Sequence, residues 1–143
     1  MILVDANLLL YASIASFPQH ALAEAWLDEQ LNGVARVALP WPSVLAFLRV
    51  ATSRRLLDRP LKVADAWGQV RSWLGCDLVW IPQPTERHAD VFERLLVEPG
   101  VTGNLVYDAH LAALAIEYGL ELCSADSDFA RFPGLRWTNP LTR

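Results

Sequence analysis

A chain of 143 residues, 53% hydrophobic and 20% charged, with a formal net charge of -4, has the size of one domain. It carries enough apolar content to bury a core without disulfide or metal staples. That composition excludes intrinsic disorder, and the longest apolar runs, such as Leu111–Ile116, fall far short of the ~20 residues of a membrane span.

The chain opens on Ile2-Leu3-Val4, an apolar run preceded by no basic leader and followed by no small-residue cleavage site. It therefore reads as a first strand and not as a signal peptide. A helix is expected from His20 to Leu31, stopped near Gly33, and Arg36-Val37-Ala38-Leu39 reads as the second strand. Ser43 to Ala51 predicts a helix entered through Pro40-Trp41-Pro42. The stripe Val63-Trp67-Val70-Leu74 predicts another, closed by Gly75. Leu78-Val79-Trp80-Ile81 is the third strand, and Ala89-Phe92-Leu96 marks a helix after it. Tyr107-Leu111-Leu114-Tyr118 marks the next, with Gly119 as its stop. Leu120-Glu121-Leu122-Cys123 and Leu135-Arg136-Trp137-Thr138 complete the strands. Most strands are continuously apolar, as strands covered on both faces are. The expected fold class is α/β: a three-layer α/β/α sandwich with a central, mostly parallel sheet, in a single domain over residues 1–143.

Cys76 and Cys123 match no metal or redox spacing, so free thiols and a cytoplasmic protein are the simplest expectation. Charge is unevenly spread. Arg36, Arg49, Arg54, Arg55, Arg59 and Lys62 face Asp58 alone in residues 36–62, whereas residues 84–128 carry nine acids against Arg87 and Arg94. A basic segment attracts phosphates and an acidic half concentrates cations, although both patterns also suit ordinary solvated faces.

Ligands of parallel sheets gather at the carboxyl ends of strands. Asp5 directly follows the first strand, and Asp126 and Asp128 follow the fourth. Either group alone is explained as a helix cap or an Asx turn. Two strands of one sheet that both end in carboxylates point to a shared site. On a helix, Asn104, Asp108, Ala112 and Ala115 lie on one face, and its small residues suit packing on the sheet. Asp108 would then be partly buried and in need of a partner. The competing reading is a surface Asp with Asn104 as helix cap. Converging carboxylates repel one another unless a cation neutralises them. An all-oxygen site suits Mg²⁺ or Mn²⁺, ions that acidify water and hold phosphate oxygens, and this points to phosphodiester hydrolysis.

The opening Ile-Leu-Val-Asp-Ala-Asn, the Tyr-Asp-Ala-His-Leu-Ala-Ala-Leu-Ala segment and the closing Ser-Ala-Asp-Ser-Asp-Phe-Ala-Arg-Phe-Pro-Gly-Leu resemble PIN-domain proteins, more narrowly the VapC ribonuclease toxins of bacterial toxin–antitoxin pairs. The resemblance spans essentially the whole chain. It implies a Mg²⁺-dependent endoribonuclease (Mn²⁺ also serving) that cuts structured RNA such as tRNA or rRNA. It further implies a homodimer silenced by a cognate VapB-type antitoxin. By position, Asp5 and Asp108 become the principal metal ligands, Asp126 completes the catalytic set, and Asp128 supports it or holds a second ion. Asn7 and Ser124 match small polar positions that steady the cluster, with Asn104 a third supporting residue. Arg49, Arg54 and Arg55 become candidates for gripping RNA phosphates.

One position departs from the family. Members commonly carry a Glu on the helix after the second strand, where this chain has Phe47 in Leu45-Ala46-Phe47-Leu48-Arg49. Either water takes that place or another acid such as Glu24 serves. His110 lies about 200° around the helix from Asp108 and points away from the site, while His20 and His88 give no signal. Trp26, Trp41, Trp67 and Trp73 fit core or subunit interface better than base stacking. Two other readings stand beside the nuclease. One is a PIN-like protein with a degenerate site that binds RNA or a partner without cutting. The other is a haloacid-dehalogenase-type phosphatase, which would need an Asp where Asn7 stands and a Lys after a suitable strand, unlike Lys62.

Overall fold

Apolar runs too short for helices pair into one sheet, and the amphipathic segments between them cover its two faces. The computed structural model describes residues 1–142, so Arg143, the last residue of the expected domain, lies outside the described residues. In chain order the elements are β1 (Ile2–Val4), α1 (Ala6–Ser13), α2 (His20–Leu31), β2 (Val37–Ala38), α3 (Trp41–Ala51) and α4 (Val63–Leu74). They continue with β3 (Val79–Trp80), α5 (His88–Leu96), α6 (Asn104–Tyr118), β4 (Glu121–Cys123), a 3-10 turn over Ser127–Arg131 and β5 (Arg136–Thr138). The strand order is β3-β2-β1-β4-β5 and every pairing is parallel, with Ile2 in register with Val37 on one side and Glu121 on the other.

Alternation along the strands feeds two cores. Leu3, Ala38 and Leu122 point to one face and pack with Val91 and Leu95 of α5 and Leu111 and Leu114 of α6. Val4, Val37 and Cys123 point to the other, among Leu8 of α1, Leu27 of α2, Phe47 of α3 and Val70 and Trp73 of α4. This is the three-layer α/β/α arrangement. Burial pushes the Cys123 thiol up to about 12, so it behaves as a small hydrophobe. No helix among the described residues is long and apolar enough to cross a membrane.

α1 is the element that periodicity does not reveal. Its Leu8-Leu9-Leu10 run is wholly buried, so it lacks the polar face that makes a helix legible. Only α6 of the three glycine-stopped helices ends in a left-handed residue, Gly119 at φ 67°. α2 ends at Asn32 and α4 at Gly75, both with negative φ. α6 is also entered through a positive-φ glycine, Gly103, which takes the capping position that the sequence offered to Asn104.

Candidate active site

The strand order reverses between β1 and β4: from β1 the chain builds outward to β2 and β3, then returns to add β4 and β5. A crevice opens at the carboxyl ends of strands flanking such a switch point. Asp5 sits at the end of β1 with its backbone N–H bonded to the Cys123 carbonyl (3.0 Å), and Ser124 continues from β4. Capping and chemistry coexist here. Asp5 Oδ1 caps α1 through the Ala6 N–H (2.8 Å), and Asp126 Oδ1 caps the 3-10 turn through the Asp128 N–H (2.9 Å).

A buried hydroxyl and an amide lock the first carboxylate in place. Ser124 Oγ donates to Asp5 Oδ2 (2.8 Å) and accepts from the Asp126 N–H (3.0 Å). Asn7 Nδ2 donates to Ser124 Oγ (3.0 Å) and Asp5 Oδ2 (3.4 Å), while its Oδ1 accepts from the Ala125 N–H (3.2 Å). Ser124 is itself held by Trp137 Nε1 on its carbonyl (3.0 Å). Asp108 arrives from α6, and one oxygen each of Asp108, Asp126 and Asp128 lie within 4.8 Å of one another. The resulting group is all-oxygen.

Electrostatics mark the four acids as one cluster. Asp108 is pushed up to about 7, first by burial and then by the charges of Asp5, Asp126 and Asp128. Burial also raises Asp5, and Asp126 adds to it, against the hydrogen bonds from Ser124 and Ala6. The site thus asks for positive charge, and hard oxygen donors fit a Mg²⁺- or Mn²⁺-like ion.

A pH dependence follows. Because the fold favours protonated Asp108, its contribution to the stability of the cation-free protein is present below the ordinary Asp range and is lost as pH rises through about 7. Cation binding needs the ionised form, so affinity for Mn²⁺ is expected to climb up to about tenfold per pH unit below 7 and level off above it. Calorimetric titration with Mn²⁺ at several pH values between 6 and 8 checks this, and a flat profile would contradict it.

The remaining candidates lie elsewhere. Asn104 is exposed at the first position of α6 and makes no hydrogen bond to the carboxylates among the described residues. Arg49 lies in the last turn of α3, and Arg54 and Arg55 lie in the exposed segment that follows. The cation whose charge reaches Asp108 is instead Arg131, which pairs with Asp128 Oδ1 at 3.5 Å. Sequence reasoning passes over Arg131, although its position three residues after Asp128 on a helical turn is a readable signal. Glu24 supplies no fifth acid, because it is exposed on α2, pairs with His20 (3.5 Å) and is not among the charges acting on Asp5 or Asp108. Phe47 is fully buried and meets Trp73 edge-on at 5.0 Å. Of the other tryptophans, Trp41 and Trp67 keep over a third of their surface exposed. His88, silent in the sequence, bonds both Glu117 and His110 on α6.

A parallel sheet of this order with an acidic cluster at its switch point places the chain among α/β proteins whose carboxylates could hold a cation. The family model of the PIN domain matches residues 2–135. The chain is 48% identical over 141 residues to ribonuclease VapC33 of Mycobacterium tuberculosis, covering 99% of both. It is 46% identical over 140 residues to ribonuclease VapC37 of the same organism, covering 98% of this chain and 97% of that one. A solved structure of VapBC2 from Rickettsia felis, bound to a promoter DNA fragment, superposes with a TM-score of 0.69 at 18% identity, covering 97% of this chain and 98% of that one. The chain belongs to the PIN-domain family.

Proposed function

We propose that this chain is a toxic endoribonuclease that cleaves structured RNA, tRNA or rRNA, through a divalent cation held by Asp5, Asp108, Asp126 and Asp128, and that a VapB-type antitoxin silences it. The observation that carries the reading is the meeting of the Asp108, Asp126 and Asp128 oxygens within 4.8 Å beside Asp5. Near-full-length likeness to ribonucleases VapC33 and VapC37 supports the same reaction class. A Mg²⁺ or Mn²⁺ ion, when bound, supplies positive charge for the scissile phosphate and acidifies water for attack.

The chain's own residues do the positioning. Asp5 is immobilised by bonds to both of its oxygens, and Asp108 is fixed on a helix whose far side is in the core. Asp126 and Asp128 hold the remaining edge from one turn. Arg131 places a cation beside an acidic group that would otherwise repel a phosphodiester. Arg49, Arg54 and Arg55 are exposed and pair with no carboxylate among the described residues, so they can meet RNA phosphates at a distance from the cut. Trp41, Leu45, Val63 and Trp67 expose apolar surface on α3 and α4, and this surface suits a homodimer contact or the antitoxin. The antitoxin tail would lay an Arg over the carboxylates.

Incubating the purified chain with tRNA and rRNA, followed by mapping of RNA ends, tests the reading. Cleavage is expected in Mg²⁺ or Mn²⁺, abolished by EDTA and restored by excess ion. RNA bound but uncut in both ions would favour the degenerate-site reading, for which the buried Phe47 is the specific support.

A further inference from the structure

On the side of α6 turned away from the carboxylates, three side chains meet that the nuclease reaction does not use. The Glu117 side chain is fully buried. Its carboxylate accepts from the Thr85 N–H (2.9 Å), the Thr85 hydroxyl (2.7 Å) and His88 Nδ1 (2.5 Å). Burial alone would raise Glu117, but these hydrogen bonds outweigh it and hold the carboxyl below its usual range, that is, ionised. With Nδ1 donating to this carboxylate, the tautomer of His88 that can bind an ion presents the lone pair of Nε2 on the opposite side of the ring. That Nε2 stands 3.1 Å from Nδ1 of His110, with the two rings inclined by 74°. Phe92 stacks on His88 at 5.4 Å and meets His110 edge-on at 6.0 Å, so both rings are held by packing.

The spacing matches a shared ion as well as a hydrogen bond. Two imidazole nitrogens bound to one ion at about 2.0–2.1 Å across a tetrahedral angle stand about 3.3 Å apart. A carboxylate behind the non-ligating nitrogen is also what fixes the tautomer and raises the basicity of a metal-binding histidine. We propose that His88 Nε2 and His110 Nδ1 form a binding site for a borderline transition-metal ion of the Zn²⁺ class, with Glu117 orienting His88 from behind. The ion takes the place of the hydrogen bond between the rings, the proton of His110 moving through solvent from Nδ1 to the outer Nε2, and water completes the coordination. His88 keeps 15% of its side chain exposed, which gives the ion a path from solvent. Because His88 belongs to α5 and His110 to α6, occupancy would pin the two helices together. The site is independent of the nuclease reading: imidazole donors select Zn²⁺, Ni²⁺, Cu²⁺ or Co²⁺, whereas the carboxylate cluster selects Mg²⁺ or Mn²⁺.

The test uses the untagged full-length chain carrying Asp5→Asn and Asp108→Asn, which weakens competition from the acidic cluster while leaving the His pair intact. Titration with Zn²⁺ is followed by calorimetry and by NMR of the imidazole nitrogens. One equivalent is expected to bind, with the His88 and His110 resonances moving and those of His20 unmoved. His88→Gln and His110→Gln should each weaken binding by at least tenfold, and Glu117→Gln by about 10- to 100-fold. The melting temperature should rise with Zn²⁺ only where both histidines are present. His88 and His110 resonances unmoved at about 1 mM Zn²⁺ would overturn the proposal and leave a plain hydrogen-bonded pair, as would affinity indifferent to both histidine variants. The NMR arm alters neither histidine, so it stands even if those variants fold poorly.

Discussion

Asp5→Asn and Asp108→Asn are each expected to cut RNA cleavage by roughly 10²- to 10³-fold or more while leaving the protein folded. Removing one charged ligand takes several kcal/mol of electrostatic stabilisation from the reaction, and each 1.4 kcal/mol is about tenfold in rate. The two variants should differ in stability. Asp108 is raised to about 7 by burial and by three neighbouring acids, so in cation-free buffer at pH 8 its charge works against the fold. Its neutral amide relieves that repulsion, and after discounting for partial exposure the gain is on the order of 1 kcal/mol, or about 3 °C in melting temperature. Asp5 caps α1 and accepts from Ser124, so Asp5→Asn keeps the cap but turns one oxygen position into a donor facing a hydroxyl. It should show no such gain. Thermal melts in EDTA and gel-based cleavage in Mg²⁺ measure both effects. Near-native cleavage by either variant would falsify the assignment of these carboxylates.

Phe47→Glu, the change that restores the residue common in the family, is expected to unfold the protein and not to add a ligand. Phe47 has no exposed surface and packs edge-on against Trp73 among Val4, Leu8, Val44, Ala66 and Val70. Losing that side chain costs about 3–5 kcal/mol, and an unpaired carboxylate in its place adds several more. Together they reach the 5–15 kcal/mol that holds a typical domain folded. Phe47→Leu, which keeps an apolar side chain, should cost far less. Circular dichroism and urea titration separate the two. A soluble, cooperatively folding Phe47→Glu protein with tighter Mn²⁺ binding would show that this helix position can reach the site.

Most strands were legible because they are short apolar runs, and their alternation into two cores follows from the pleat. Helices with one polar face were equally clear, as Val63 to Leu74 shows. α1 was not, since a helix buried around Leu8, Leu9 and Leu10 has no polar stripe to read. At the site, the placement of Asp5 and Asp126 after strands carried most of the signal, and the small-residue face of α6 indicated Asp108. What stayed hidden depends on contacts distant in sequence. The pairing of Glu117 with His88 spans 29 positions and joins two helices. Phe47 shows the converse: family likeness suggested a vacancy in the metal site, while packing explains the residue as core.

Anomalous scattering from Mn²⁺ in crystals of the chain soaked at saturating concentration locates the cation directly. A peak is expected at the carboxyl ends of β1 and β4, within coordination distance of oxygens from Asp108 and Asp126 and beside Asp5. An ordered crystal in which these oxygens carry no anomalous density, with any peak confined to other surfaces, would contradict it.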